Sequence, residues 1–389
     1  MSKTVAGTTA AAPVDVAARL QELARIKPGP APVISVYLDT RWSDEHQRDR
    51  VRVFLKNETR KASAMAAGRL DAELAWISEE GERLVDQQFH PEAAGVAMFA
   101  GGSANWREIL HLAVPFADSF VVADTPRLRP LVKAIGEAPR AAVLFVDGES
   151  ARLTALTEQG AGEDVALEST DVVGQHRRGG WSLLLQSRFQ RHIHEHRGRH
   201  FDAVADALAH LVDHDGLSAI VLAGEPRNLA VFRPHVPPRL ANRIVGDVAG
   251  ARYEPTSAFA ERALALIRHR GAGQAAAALD TVLVDAEGGG RAAGGVEATI
   301  DAVNRGTVDR LYLLASYRED GRACPTCQAL ERTTDEVCRW CGAATNTLEL
   351  GEAMVQRVLA AGGDVASLEV HAALERAGGV AALLRYPPR

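Results

Sequence analysis

Four cysteines fall within eighteen residues near the end of this chain, as Cys324-Pro-Thr-Cys327 and Cys338-Arg-Trp-Cys341. They are the only four in the 389 residues, so no thiol is left over. In a reducing compartment such pairs read as a metal site rather than as disulfides. Each Cys-x-x-Cys can turn two thiolates toward one point, and two such knuckles close a tetrahedral shell around Zn²⁺ with no position open for chemistry. Gly342, just after the second pair, frees the backbone to turn tightly there. A redox dithiol is the weaker reading, because two matched pairs favour one shared ion. The expected zinc is structural: it stiffens an excursion poor in apolar residues of its own.

At 389 residues the chain is too long for one hydrophobic core. Its 47% apolar and 24% charged residues are globular and exclude a fibre or a long disordered protein. A net charge of −6 argues against a general nucleic-acid coat and against DNA as partner, but leaves room for local RNA contacts. No apolar run approaches the roughly 18 residues that span a bilayer, so no membrane is expected. Met1 to Asp15 is small and polar, with Lys3 its one basic residue. It lacks the apolar core of a signal peptide and is expected to be a disordered tail, which places the protein in the cytoplasm.

The chain then alternates strand and helix patterns. Val16 to Ile26 reads as a short helix, Val33 to Leu38 as a strand, and residues 43–88 as two helices. Further strands are expected at 95–100 and 119–123, and the first domain, 16–138, ends there. A middle domain, 139–274, opens on the strand Ala142–Val146 and carries a long helix, Leu183 to Asp213. It continues with a buried strand at 217–224 and a helix at 257–270. The third domain, 275–389, begins with the apolar run Thr281–Val284 and holds the cysteine block. The fold expected is α/β: three domains of mixed sheets covered by helices, the third with a zinc-ribbon insertion.

The middle domain holds the most unusual stretch. Residues 174–201 contain six arginines and five histidines against one acid, Glu195. In a chain of net charge −6 such one-signed clustering points to phosphate contacts, because arginine grips phosphate bidentately. Phe189, Ile193, Val204, Leu208 and Leu211 share one helix face. Arg188, Arg191, His192, Glu195 and Arg199 lie largely elsewhere, giving an RNA-binding side formed with Arg177 and Arg178 of the preceding loop. An ordinary solvated face mixes both signs and is the weaker reading. His192, His196 and His200, spaced by four, could hold a metal, but the arginines would repel a cation. His194-Glu195-His196 is not the zincin pattern, since position 198 is glycine. Gly179-Gly180, ahead of the helix, allow the backbone to approach a partner closely.

Arg177-Arg178-Gly179-Gly180-Trp181-Ser182, with Arg188-Phe189 in the helix behind it, resembles the Gly-Gly-Gln segment of archaeal and eukaryotic peptide release factors. Other segments agree in order: Ile34–Leu38, Val122–Leu131, Leu222–Gly224, Pro237–Leu240, Gly306–Leu311, the four cysteines, and Gly378 through Tyr386. The resemblance covers nearly the whole chain. Two departures bear on function. The stop-codon loop Asn-Ile-Lys-Ser is absent, and Lys56-Asn-Glu-Thr-Arg60 is no substitute for it. The catalytic Gln is replaced by Trp181, which keeps the backbone N–H but not the amide side chain.

The resemblance implies a ribosome-binding translation factor that occupies the A site, against rRNA, without reading a stop codon. This is similar to the Balon-like bacterial relatives of ribosome hibernation. The alternative is a codon-independent rescue or release factor that hydrolyses peptidyl-tRNA. The degenerate loop Gly179, Gly180 and Trp181 favours the binder and leaves the catalytic set open. A ribosome-dissociating relative is disfavoured, because those proteins usually lack the basic segment. In the family, the third domain commonly contacts a translational GTPase, which is the further partner implied.

Overall fold

The computed structural model describes residues 15–387, apart from 30, 43–44, 67, 87–92, 102–105, 139, 163 and 169–182; of 168 and 183–196 it describes the backbone but not the side chains. Strand β1, Val33–Asp39, is apolar almost throughout and is buried on both sides. A one-sided strand would alternate apolar and polar residues; a strand covered on both faces need not. Helix α1, Val16–Ala24, precedes it. Helices α2, Glu45–Ala66, and α3, Asp71–Asp86, follow as a hairpin. Ile34, Val36 and Leu38 pack into one core with Val51, Leu55, Leu74 and Ile77 of that hairpin. Tyr37 points the other way, into a core shared with α1. Strands β2, Gly95–Gly101, β3, Trp106–Leu112, and β4, Ser119–Ala123, complete an antiparallel sheet of order β3-β2-β1-β4. β3 was not expected from the sequence; Arg107, Glu108 and His111 interrupt its apolar pattern.

Helix α4, Arg129–Glu137, leads into the middle unit. Its strands are β5, Ala141–Val146, β6, Ser150–Thr157, β7, Gly160–Ala161, and β8, Val165–Glu168. Helix α5, Leu183–His214, crosses to β9, Ala219–Ala223. Helices α6, Pro226–Phe232, and α7, Pro238–Ala241, precede β10, Ile244–Val248. The sheet order is β10-β9-β5-β6-β7, with β8 also pairing β6. β5, β9 and β10 are parallel and β6 is antiparallel to β5. The C-terminal half of α5 covers one face, with Phe201, Val204, Leu208 and Val212 buried. Helix α8, Thr256–Glu287, covers the other with Phe259, Ala260, Ala263 and Ile267.

α8 departs from the sequence reading, which ended a helix at 270 and saw a separate apolar run at 281–284. The structure runs one 32-residue helix through both. Ala275–Ala278 is a run of the best helix former, which outweighs Gly271 and Gly273. Leu279 and Val282, farther along, are buried in the core of the third unit. That unit contains β11, Ala292–Gly294, α9, Val296–Asn304, and β12, Val308–Leu314. The cysteine block carries β13, Asp320–Ala323, β14, Leu330–Glu331, and β15, Asn346–Glu349, in the order β14-β13-β15. Helix α10, Leu350–Ala360, β16, Asp364–Leu368, α11, Ala372–Arg376, and β17, Val380–Leu384, close the chain. The main sheet is ordered β11-β17-β12-β16. The whole is a mixed α/β, multi-domain fold. Among the described residues no helix is long and apolar enough to cross a membrane.

The first and third units share one core. It joins Leu20 and Leu23 of α1, Leu131 and Val132 of α4, and Met354, Val355 and Val358 of α10. Polar contacts fix the seam. α4 has no side-chain cap of its own; Glu352 of α10 accepts the Leu128 and Arg129 backbone N–H groups instead. Glu349 in turn caps α10, accepting from Gly351 N at 3.0 Å and Glu352 N at 2.8 Å, and it pairs with Arg129 at 3.2 Å. Arg129 also donates to the Leu314 and Ala315 carbonyls, each at 3.3 Å.

Burial pushes the Glu352 carboxyl up to about 7, despite the N–H groups and arginines that favour its charge. Its folded-state value thus lies above the ordinary carboxyl value of about 4.3. Between the two, the folded protein binds more protons than the unfolded chain, so this group's contribution is full below about pH 4 and is lost as pH rises to 7. Glu352→Gln should flatten the decline, a difference on the order of 3 kcal/mol between pH 4 and pH 8. Urea unfolding of both proteins across that range checks it; parallel pH profiles would refute the assignment.

Candidate functional site

The cysteines meet as their spacing requires. All four Sγ atoms lie within 4.8 Å of one another. Cys324 and Cys341 are 3.4 Å apart, and Cys327 and Cys338 3.5 Å. The two knuckles repeat one backbone pattern. Gln328 N donates to Cys324 O at 2.8 Å, and Gly342 N to Cys338 O at 2.9 Å. The residue after each second cysteine turns left-handed, Gln328 at φ 60° and Gly342 at φ 74°. The Cys327 backbone N–H, 3.4 Å from the Cys324 sulfur, leads the contacts that hold that thiol down to about 6. Cys324 and Cys338 are buried and Cys327 and Cys341 exposed. Asn304 of α9 locks the block to its unit, donating to Leu330 O and accepting from Leu330 N, both at 2.9 Å. Four convergent sulfurs with their own N–H donors suit a soft, thiophilic ion and leave it no open position.

The second candidate site is α5 and its loop. The helix has 32 residues, about 48 Å at 1.5 Å per residue. The apolar face expected from the sequence is present where side chains are described: Val204 and Leu208 are buried and Leu211 partly so. Phe201 and Val212 join it, though the sequence reading did not single them out. The helix crosses the β5–β6 turn at residues 197–200: Arg197 lies against Gly148, and His200 faces the Ser150 backbone. Its first fourteen residues, 183–196, lie upstream of that crossing. Arg188, Arg191 and His192 belong to that stretch; their side chains, with Phe189 and Ile193, are outside the described set, and so are Arg177, Arg178, Gly179, Gly180 and Trp181 altogether. Arg199 is exposed. His200 is buried, which pushes its imidazole below its ordinary value, and its Nε2 has no partner among the described residues.

The turn beneath the crossing is held by a dense set of hydrogen bonds. Asp147 Oδ1 accepts from Glu149 N and Ser150 N at 2.8 Å each. Arg252 grips both Asp147 oxygens, at 2.8 and 2.9 Å, and reaches Glu149 at 2.8 Å. Burial alone would raise the Asp147 carboxyl, but the Arg252 hydrogen bonds bring it below its usual range. In the first unit, Lys56–Arg60 lies within helix α2, not in a loop. The α2–α3 connection instead turns at Gly68, with φ 85°.

Gly342 tests the knuckle geometry. Nothing lies within 4 Å of a Cβ added there, so only the left-handed backbone opposes a side chain. Gly342→Ala should cost about 1 kcal/mol, and Gly342→Asn less, since Asn tolerates this conformation. Chemical denaturation of the two variants would expose an error if Asn proved as costly as Ala.

Residues 126–268 match the model of the family described as Bacterial archaeo-eukaryotic release factor family 10. No curated protein matches the chain. Among solved structures, the archaeal translation termination factor aRF1 is 17% identical over 95% of this chain and 97% of that one, with a TM-score of 0.26. Pelota of Archaeoglobus fulgidus is 17% identical over 77% and 81%, with a TM-score of 0.32. Dom34 of S. cerevisiae is 11% identical over 76% and 79%, with a TM-score of 0.40. The family match covers α4, the six strands β5 to β10, α5 and the first part of α8. Residues 126–268 are thus similar to a bacterial archaeo-eukaryotic release factor.

Proposed function

We propose that this protein is a ribosome-binding factor that enters the A site without reading a stop codon and holds idle ribosomes in hibernation. The observation that carries the reading is the one-signed stretch 174–201, in which six arginines meet one acid, inside the segment that matches the release-factor family. In this reading the middle domain, residues 139–274, extends α5 toward rRNA, with Arg177, Arg178, Arg188, Arg191, His192 and Arg199 against phosphates. Lys56–Arg60 offers no codon-reading loop, since it is helical. Trp181, standing where the family has Gln, stacks on a base and leaves no amide side chain to orient water. The site of action is then cytoplasmic, and the third domain is the surface for a translational GTPase.

The thiol cluster holds Zn²⁺ in this reading. The ion needs only Cys324, Cys327, Cys338 and Cys341, and it supports the fold rather than the chemistry. Protein purified without chelator should carry about one Zn²⁺ per chain. Cys338→Ala should lose the ion and destabilise the third unit. Elemental analysis that finds no zinc in the parent would sink the assignment.

The functional experiment adds saturating protein to ribosomes that carry peptidyl-tRNA and a vacant A site. The protein should co-sediment with them, more weakly as salt rises, and equally well with stop and sense codons. It should release little or no peptide. Arg177→Glu, Arg178→Glu and Arg188→Glu together should abolish pelleting. Rapid release that depends on Gly180 would instead make it a hydrolytic rescue factor.

A further inference from the structure

The four thiols divide by access as well as by knuckle. Cys327 and Cys341 are exposed, one in each Cys-x-x-Cys, while Cys324 and Cys338 are buried. The close sulfur contacts run across the knuckles: Cys341 meets Cys324 at 3.4 Å, and Cys327 meets Cys338 at 3.5 Å. Each contact therefore joins one exposed sulfur to one buried sulfur of the other knuckle. The approach to the exposed sulfurs is open. Pro325, Thr326 and Gly342 beside them are exposed, and nothing lies within 4 Å of a Cβ built at Gly342.

An exposed thiolate with a second thiolate in contact is the arrangement that oxidants convert to a disulfide: the first sulfur is reached and the second resolves it. With hydrogen peroxide as the oxidant, the exposed sulfur takes one oxygen. An S–O bond forms, the O–O bond breaks, and hydroxide leaves. The buried thiolate then attacks that sulfur, an S–S bond forms, and the oxygen departs with the S–O electron pair as a second hydroxide. Four thiolates thus consume two peroxides and give two disulfides and four hydroxides, with no thiolate left to hold an ion. Each contact has to shorten by only roughly 1.4 Å to reach a sulfur–sulfur bond. The block is also fastened without the ion. Asn304 holds the Leu330 backbone through two hydrogen bonds of 2.9 Å, and β13 pairs with both β14 and β15. Two bonds across the knuckles would tie together the same four points that an ion ties.

We infer that the cysteine block is a peroxide-responsive site, in which oxidation exchanges the ion for the disulfides Cys324–Cys341 and Cys327–Cys338. The inference rests on the reading of the block as a zinc site. The test uses the full-length protein, with its zinc content measured first. Titrated with hydrogen peroxide, it should release about one Zn²⁺ for every two peroxides consumed. The bonds are then mapped, with any free thiols alkylated before digestion. Trypsin cuts after Arg322, Arg332 and Arg339, so the thiols leave on three peptides: Cys324 with Cys327, Cys338 by itself and Cys341 by itself. The inferred bonds join all three peptides into one species, and fragmentation between Cys324 and Cys327 shows which partner each carries. Bonds confined to the knuckles would leave the first peptide on its own and would overturn the inference, as would the pairing of Cys324 with Cys338. Zinc that stays bound to four reduced thiols in excess peroxide would overturn it too. A zinc-bearing parent that fails these tests removes the exchange alone, whereas a parent without zinc removes the exchange and the zinc reading together.

Discussion

Two helix N-termini in this protein end on neighbouring acids of one segment. The first N–H groups of α4 end on Glu352, which belongs to α10, and the first N–H groups of α10 end on Glu349, which holds Arg129 of α4. A helix N-terminus carries unpaired donors and a partial positive charge, so a carboxylate there is stabilising. Here Glu349 offsets the partial charge of α10 and the Arg129 guanidinium, while Glu352, its carboxyl pushed up to about 7 by burial, accepts the first N–H groups of α4 across the same seam. Removing any one member would leave a buried charge or donor without its partner, which costs far more than the pair contributes. The seam therefore makes the first and third units one body, with α1 packed between them. The middle unit attaches to that body through the short connection after α4, through α8, and through a hydrogen bond from Ala113 N to Glu158 O at 2.8 Å.

This arrangement explains what was legible in the sequence. Elements with strong local signals were read well: the apolar run of β1, the two amphipathic helices at 43–88, the 183–213 helix and the paired cysteines. The local chemistry of each decides its structure almost unaided. The seam was not legible. An acid in the first turn of a helix, such as Glu352, reads as an ordinary partner of the helix dipole, and nothing local shows that it serves another helix 224 residues away. α8 was misread for a related reason. Gly271 and Gly273 look like punctuation, while the structure lets the alanines after them continue the helix.

The candidate sites divide in the same way. The cysteine cluster is visible because two Cys-x-x-Cys pairs fix residue type and spacing together. Gln328 was not flagged, since only its left-handed backbone, matching that of Gly342, reveals the symmetry of the two turns. Charge clustering on α5 was visible because one sign dominates twenty-eight residues.

α8 also works as a lever. Ile267 is anchored in the core of the middle unit and Leu279 in that of the third, and between them Gly271 and Gly273 have open space where a side chain would sit. Long helices bend most readily at such small residues. A tilt of roughly 10° there displaces a point 48 Å away by about 8 Å, more than one helical turn. Any bend at these two glycines would thus change how the middle unit sits against the third.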